Sequence, residues 1–318
     1  MFNLSFQSTF LATFQILLMG GCGYFLTKRK IIDENGLGLL SRLVIDFFLP
    51  CLIFNQLIQN FSFQLYPNWW QFPLLSFTIT LSGFIVSQIV LFSCKGITYK
   101  KAFRALMTFQ NAGYIPLILV ATLFSAEQTK MLFVYIFLFT IGFDLLLWSF
   151  GVWLLTRHKM ERFELKNFFH SPAIVILISL GLIALGLQKF IPMFVLKPVK
   201  LFGDCAIPLS MIVVGGNLAC LKVSEMKPRE IFLIVATKLI LFPLLTLIVL
   251  MLKPVDYWVG FLILLETAVP SSVSLAVISR HYKVEEVFIN QGLVFTHLGC
   301  VFTIPVFLIL YGRMFTGF

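Results

Sequence analysis

The residues of this chain that could do chemistry stand inside apolar runs. The densest group is Glu266-Thr267-Ala268-Val269-Pro270-Ser271-Ser272, in the middle of Phe261–Arg280. That stretch is long and apolar enough to cross a bilayer. Proline inside a helix removes a hydrogen bond and collides with the carbonyl four residues back. In hydrocarbon, freed backbone groups must be satisfied by protein or by water in a lined cavity. A second break is expected at Asn111-Ala112-Gly113-Tyr114-Ile115-Pro116. Two antiparallel helices broken at one depth offer N–H ends that attract anions and C=O ends that attract cations. Asn111 and the hydroxyls of Thr267, Ser271 and Ser272 can serve those ends or a ligand. The plainer alternatives are kinked packing helices at Pro116 and Pro270, and hydroxyls of Ser271 and Ser272 bonded back to their own helix.

Further charges lie at depth: Asp46, Asp144, Asp204, Glu266 and Lys238. Each costs about 2.5–3.5 kcal/mol in an isolated spanning helix, so each is expected to face the interior, pair or neutralise. Lys238 has Glu266, Asp144 or an anionic substrate as candidate partners. Asp46 and Asp204 sit near span starts, where reaching headgroup water or capping a helix would also explain them. Glu266 is one helical turn before Pro270. It is expected either to be neutralised by Lys238 or to take up a proton or sodium ion with the substrate. His297 reads as a core histidine or a proton relay.

The elements that must position these residues follow from composition. Hydrophobic residues make up 59% of the 318 and charged residues 12%, with mean hydropathy +0.96. A soluble domain carries roughly 25% charged residues. The pattern is that of an all-α polytopic membrane protein, and the net charge of +10 reflects basic loops rather than nucleic-acid binding. Ten transmembrane helices are expected, near 10–26, 39–58, 72–94, 105–124, 131–156, 173–187, 201–221, 231–252, 259–278 and 287–311. No Lys or Arg precedes residue 28, so the first reads as a span rather than a signal peptide. The six cysteines have no metal-binding spacing and read as small core residues. Loops after odd-numbered spans hold 16 Lys and Arg against 6 on the other side. This puts them in the cytoplasm and both termini outside, with Tyr66, Trp69 and Trp70 in an outer aromatic belt.

The halves repeat. Asp46 to Pro50 matches Asp204 to Pro208, Pro116 matches Pro270, and Phe139-Thr140 matches Phe295-Thr296, at offsets of 154–158 residues. Five spans per half make the repeat inverted, as in many secondary transporters. The division is 1–156 for the first five-helix repeat, 157–172 for a cytoplasmic linker and 173–318 for the second repeat.

LPCLIF at Leu49–Phe54, QNAGYIPL at Gln110–Leu117, DCAIPLSMIVVGGNLA at Asp204–Ala219 and the run from Pro270 to Thr303–Pro305 resemble the auxin efflux carrier family. That family includes bacterial malate and malonate carriers and plant auxin exporters. The resemblance implies two inverted five-helix repeats with broken, crossing helices 4 and 9, as in bile-acid sodium symporters. It also implies a scaffold domain of helices 1, 2, 6 and 7 and a transport domain of helices 3–5 and 8–10. The chain lacks the long central loop of the plant exporters and has Glu266 where a small polar residue is usual.

Three function classes compete: a secondary carrier of small organic anions such as a mono- or dicarboxylate, an intramembrane enzyme such as an aspartyl protease using two of the spans' Asp residues, with Gly142-Phe143-Asp144 as one motif, and a non-transporting sensor. No second protease motif, phosphate loop, GxSxG or HExxH is present. The carrier reading is preferred, with no cofactor beyond a coupling H+ or Na+. A sodium- or proton-coupled symporter of another amphipathic solute is the runner-up. The expected partners are the substrate and the lipid of a prokaryotic plasma membrane, with a homodimer the assembly considered. In a cysteine-free background, Leu65→Cys should be labelled from outside sealed cells and Met160→Cys should not. Outside labelling of Met160→Cys would reverse the orientation.

Overall fold

A computed structural model describes residues 6–156, 171–220, 227–253 and 255–315. Most of the expected linker, 157–170, lies outside these. The described chain is helical: α1 Phe6–Lys28, α2 Glu34–Asn60, α3 Gln71–Ser93, α4 Lys100–Thr108, α5 Tyr114–Leu123, α6 Ala126–Thr156, α7 Ser171–Ala184, α8 Met193–Ala219, α9 Pro228–Leu252, α10 Tyr257–Ala268, α11 Ser274–Tyr282 and α12 Glu286–Phe315. Seven of these (α1, α2, α3, α6, α8, α9 and α12) are long and apolar enough to cross a membrane. The apolar helices α5, α7 and α10 are shorter. The expected spans at 105–124 and 259–278 are each two short helices, α4 with α5 and α10 with α11, divided where the prolines and polar residues lie.

Large apolar side chains face outward on the long helices, Phe92 being 90% exposed. In water such a surface would aggregate; in lipid it is the favourable exterior. The same physics corrects the reading of the cysteines as core residues. All six are free, but Cys22 and Cys205 are exposed and only Cys300 is buried, since a thiol on a lipid-facing surface loses nothing. The short helices α4, α5 and α10 are the most enclosed.

Proline also shapes the long helices. In α2 the turn Val44–Phe48 widens and Leu49 N donates to Val44 O, five residues back, just before Pro50. In α9 the turn Thr237–Leu241 widens in the same way before Pro243. In each case the missing proline N–H leaves a carbonyl without its usual donor, and the wider turn absorbs the misfit. α8 turns at Cys205, ahead of Pro208.

α1 runs along α8 with almost no space between backbones. A Cβ on Gly215 would stand 1.7 Å from Gly20 O, and one on Gly23 would stand 2.2 Å from Ile212 O. Only glycine permits this approach, the usual basis of close helix pairing in membranes. At the far side, two carboxylates fix the start of α4. Glu230 accepts from Thr98 N at 3.1 Å and Tyr99 N at 3.4 Å, and Glu285 accepts from Ala102 N at 2.7 Å. Negative charge is favoured at a helix N-terminus, and these bonds tie α4 to the starts of α9 and α12. Gly215→Val should cost stability by about 1–3 kcal/mol or more, read as thermal unfolding in detergent. Gly181→Ala, with nothing within 4 Å of the new Cβ, should leave it unchanged.

Candidate functional site

The two broken stretches cross, and each closes the other's backbone. Asn111 N donates to Pro270 O at 2.8 Å and Ser272 N donates to Phe109 O at 2.9 Å. Gln110 and Ser271 thus form an isolated antiparallel bridge. A helix of nine residues such as α4 leaves its last four carbonyls without intrahelical donors. Three of them are satisfied here from different sources. Ala105 O accepts from Phe109 N, Leu106 O from the Ser271 hydroxyl at 2.6 Å, and Met107 O from Lys238 Nζ at 3.1 Å. The negative end of α4 therefore faces a buried ammonium.

Asn111, Glu266, Thr267, Ser271 and Ser272 are all buried at this crossing. Pro270 lies in the extended segment between α10 and α11, and Pro116 is in the first turn of α5. There its missing N–H is one the helix start would leave unpaired anyway. The Ser271 hydroxyl does not bond back to its own helix; it crosses to α4. Thr267 does bond back, to Leu264 O at 2.9 Å. Lys238 and Glu266 are fully buried and within electrostatic reach of each other. They make no ion pair among the described residues. Among the described residues both Glu266 carboxyl oxygens lack a hydrogen-bond partner.

None of the aspartates is among the buried residues of the crossing. Asp144 and Asp46 both act electrostatically on Tyr114, at the start of α5. Asp46 is exposed on the wide turn of α2. Asp204 is at the surface, paired with Lys200 at 2.6 Å one turn away.

Of two further residues at the crossing, the sequence does not single out Gln110 and marks His297 only as a core histidine or a proton relay. Gln110 is buried with both amide atoms unpartnered; its signal was its place beside Asn111 within an apolar run. His297 of α12 meets Asn111, with Nε2 3.3 Å from Asn111 Nδ2 and Nδ1 2.7 Å from Leu293 O. It also lines a cavity of about 190 Å³ with Thr13, Ile16, Ile115, Met211 and Ile304. The walls, from α1, α5, α8 and α12, are almost wholly apolar. Among the described residues no group of three His, Cys, Asp or Glu side chains could hold a metal ion.

Apolar helices of spanning length around a buried polar crossing define a multi-pass membrane protein. The chain belongs to the auxin efflux carrier family: the family described as Membrane transport protein matches residues 8–308. Relatives include Protein PIN-LIKES 6 of Arabidopsis thaliana, 36% identical over 95 residues, which are 30% of this chain and 22% of that protein. Protein PIN-LIKES 2 of the same plant is 29% identical over 96 residues, 30% of this chain and 21% of the relative. The Uncharacterized transporter C5D6.04 of Schizosaccharomyces pombe is 24% identical over 110 residues, 34% and 24% of the two lengths. The matched stretches thus span less than a quarter of each relative.

Ser271→Ala should leave Leu106 O unpaired and cost about 1–3 kcal/mol. Thr267→Ala removes only a second bond to a carbonyl of its own helix and should cost less. Thermal unfolding of both variants in detergent checks the order; equal losses would mean that the bond across the crossing adds nothing.

Proposed function

We propose that the chain is a secondary active carrier, not an enzyme, which moves a small organic anion across the membrane by alternating access. One observation carries this reading: two broken helices pair through the backbone groups freed at their breaks, beside Asn111 and an apolar cavity. The family supports transport as the activity. The anion is held at the crossing by the side chains of Asn111 and Ser272, with its apolar part in the cavity; Thr267, Ser271 and the half-helix ends join them once their hydroxyls and N–H groups turn from the carbonyls they now serve. The apolar walls favour a monocarboxylate with a hydrocarbon body over a dicarboxylate, whose second charge would be desolvated there.

Ten spans in two inverted repeats, 1–156 and 173–318, complete the proposal. Support comes from the matching interruptions before Pro50 and Pro208 and the matching breaks near Pro116 and Pro270. In ten-span numbering, helices 1, 2, 6 and 7 form the scaffold, and helices 3–5 and 8–10 carry the substrate. The membrane is a prokaryotic plasma membrane and both termini face outward. Glu266 is the candidate for an H+ or Na+ coupling site. Its carboxyl is unpartnered and buried beside Lys238, so a bound cation or proton would remove the cost of an isolated charge.

Counterflow of labelled carboxylic acids into proteoliposomes tests the reading. Uptake of at least one monocarboxylate is expected, and absence of flux across the panel would refute it. Pro116→Ala and Pro270→Ala should cut that flux about tenfold or more while melting temperatures stay near wild type, because residue 270 regains an N–H that can bond Glu266 O, and residue 116 regains one that lets α5 extend back toward Ala112. Glu266→Gln should still exchange substrate but lose accumulation driven by an ion gradient.

A further inference from the structure

His297 is held at both ring nitrogens. The Leu293 carbonyl can only accept, so Nδ1 carries the hydrogen. The neutral ring then has its lone pair on Nε2, and the Asn111 amide nitrogen donates into it. No described group donates to Asn111 Oδ1. In this arrangement the amide oxygen, an acceptor, points away from His297, toward the face that the carrier reading gives to the ligand. A carboxylate is acceptor-only when ionised, so this face repels it. If the ring gains a proton at Nε2, two donors would face each other. The amide must then turn, Oδ1 accepting from Nε2–H and the NH2 group swinging to the ligand side.

We propose that His297 is a positioning residue that selects, by its protonation, which end of the Asn111 amide faces the ligand. The protonated ring makes the crossing a site for carboxylates, and the neutral ring releases them. The proposal rests on the carrier reading and deepens it. The proton stays on Nε2 while the anion is bound, and no covalent bond changes. The imidazolium is sustained by the anion's charge in the low-dielectric cavity it lines; by reciprocity, anion binding draws the proton in.

The other titratable groups around α12 are few. Lys238 of α9 and Glu266 of α10 are buried at the crossing, and α1 brings Tyr24 to the cavity wall. Arg104 of α4 stands one turn before the break, and Cys300 of α12 lines the cavity with His297; Lys100 and Lys101 of α4, Arg280 and Tyr282 of α11, and Arg229 and Glu230 of α9 lie in the turns farthest from the break. None makes an ion pair with His297 among the described residues. Glu266 is therefore the rival explanation for any pH dependence.

Equilibrium binding of benzoate and of neutral benzamide to the detergent-solubilised full chain, between about pH 5.5 and 8, tests this. Benzoate should bind wild type about tenfold more tightly at the acid end, with proton uptake from a weak buffer, while benzamide binding stays flat. Glutamine can offer Asn111 either a donor or an acceptor without titrating. His297→Gln should therefore lose most of the pH slope of benzoate binding, whereas Glu266→Gln should keep most of it, proton uptake at Glu266 adding only the remainder. A wild-type slope in His297→Gln, or its loss in Glu266→Gln, overturns the switch. Should His297→Gln fail to fold, wild-type proton uptake decides: benzoate binding without it overturns the switch. If wild type binds none of benzoate, hexanoate and malonate at any pH, the carrier reading itself falls.

Discussion

A helix cannot be cut inside an apolar slab unless something receives the cut ends. Here each cut receives the other. Two backbone bonds join 109–111 to 270–272, and Ser271 and Lys238 take two more carbonyls of α4. A hydrogen bond adds roughly 0.5–1.5 kcal/mol net, while leaving a buried group unpaired costs about 1–3. The second figure governs. Once two helices are broken at one depth, neither can move away from the other without orphaning both. The crossing therefore behaves as one object, and Glu230 and Glu285 tie its far end to α9 and α12.

Lys238 shows how such an object accommodates charge. An ammonium inside a membrane protein ordinarily calls for a carboxylate. Lys238 instead meets the negative end of a half-helix, and Glu266 stands near without pairing. The backbone dipole takes the role of counter-ion, which leaves the carboxyl free for other work. That division of labour is available only because α4 ends at this depth.

Much of this was legible in the residues. Pro116 and Pro270 marked the breaks because proline has a fixed chemical defect, and repeated spacing tied the two together. Asn111, Thr267, Ser271 and Ser272 were found because polar residues inside apolar runs have few explanations. Partners across 100 residues or more were not legible. Nothing in the order of residues says that Ser271 reaches Leu106 O, that Lys238 reaches Met107 O in preference to Glu266, or that Glu230 caps a helix 131 residues away. Asp204 illustrates the opposite failure. By spacing it matches Asp46, yet its nearest partner is Lys200, one turn back on its own helix. The cysteines misled for a physical reason, since lipid and core are equally apolar and burial leaves no mark on composition.

The glycine seam between α1 and α8 has a mechanical consequence. With Gly215 seated against the Gly20 carbonyl and Gly23 against Ile212, neither helix can slide or roll without forcing main chain into main chain. Ordinary side-chain contacts creep, because rotamers adjust; a backbone-to-backbone contact has no rotamers. The pair is thus a locked axle. The cavity shares a wall with it through Gly20 and Gly21 of α1 and Val214 of α8, so that side of the cavity is backed by main chain with no rotamer to give. Ile115 of α5 and His297 of α12 line the same cavity from outside that locked pair, and any freedom to change its shape rests with helices such as theirs.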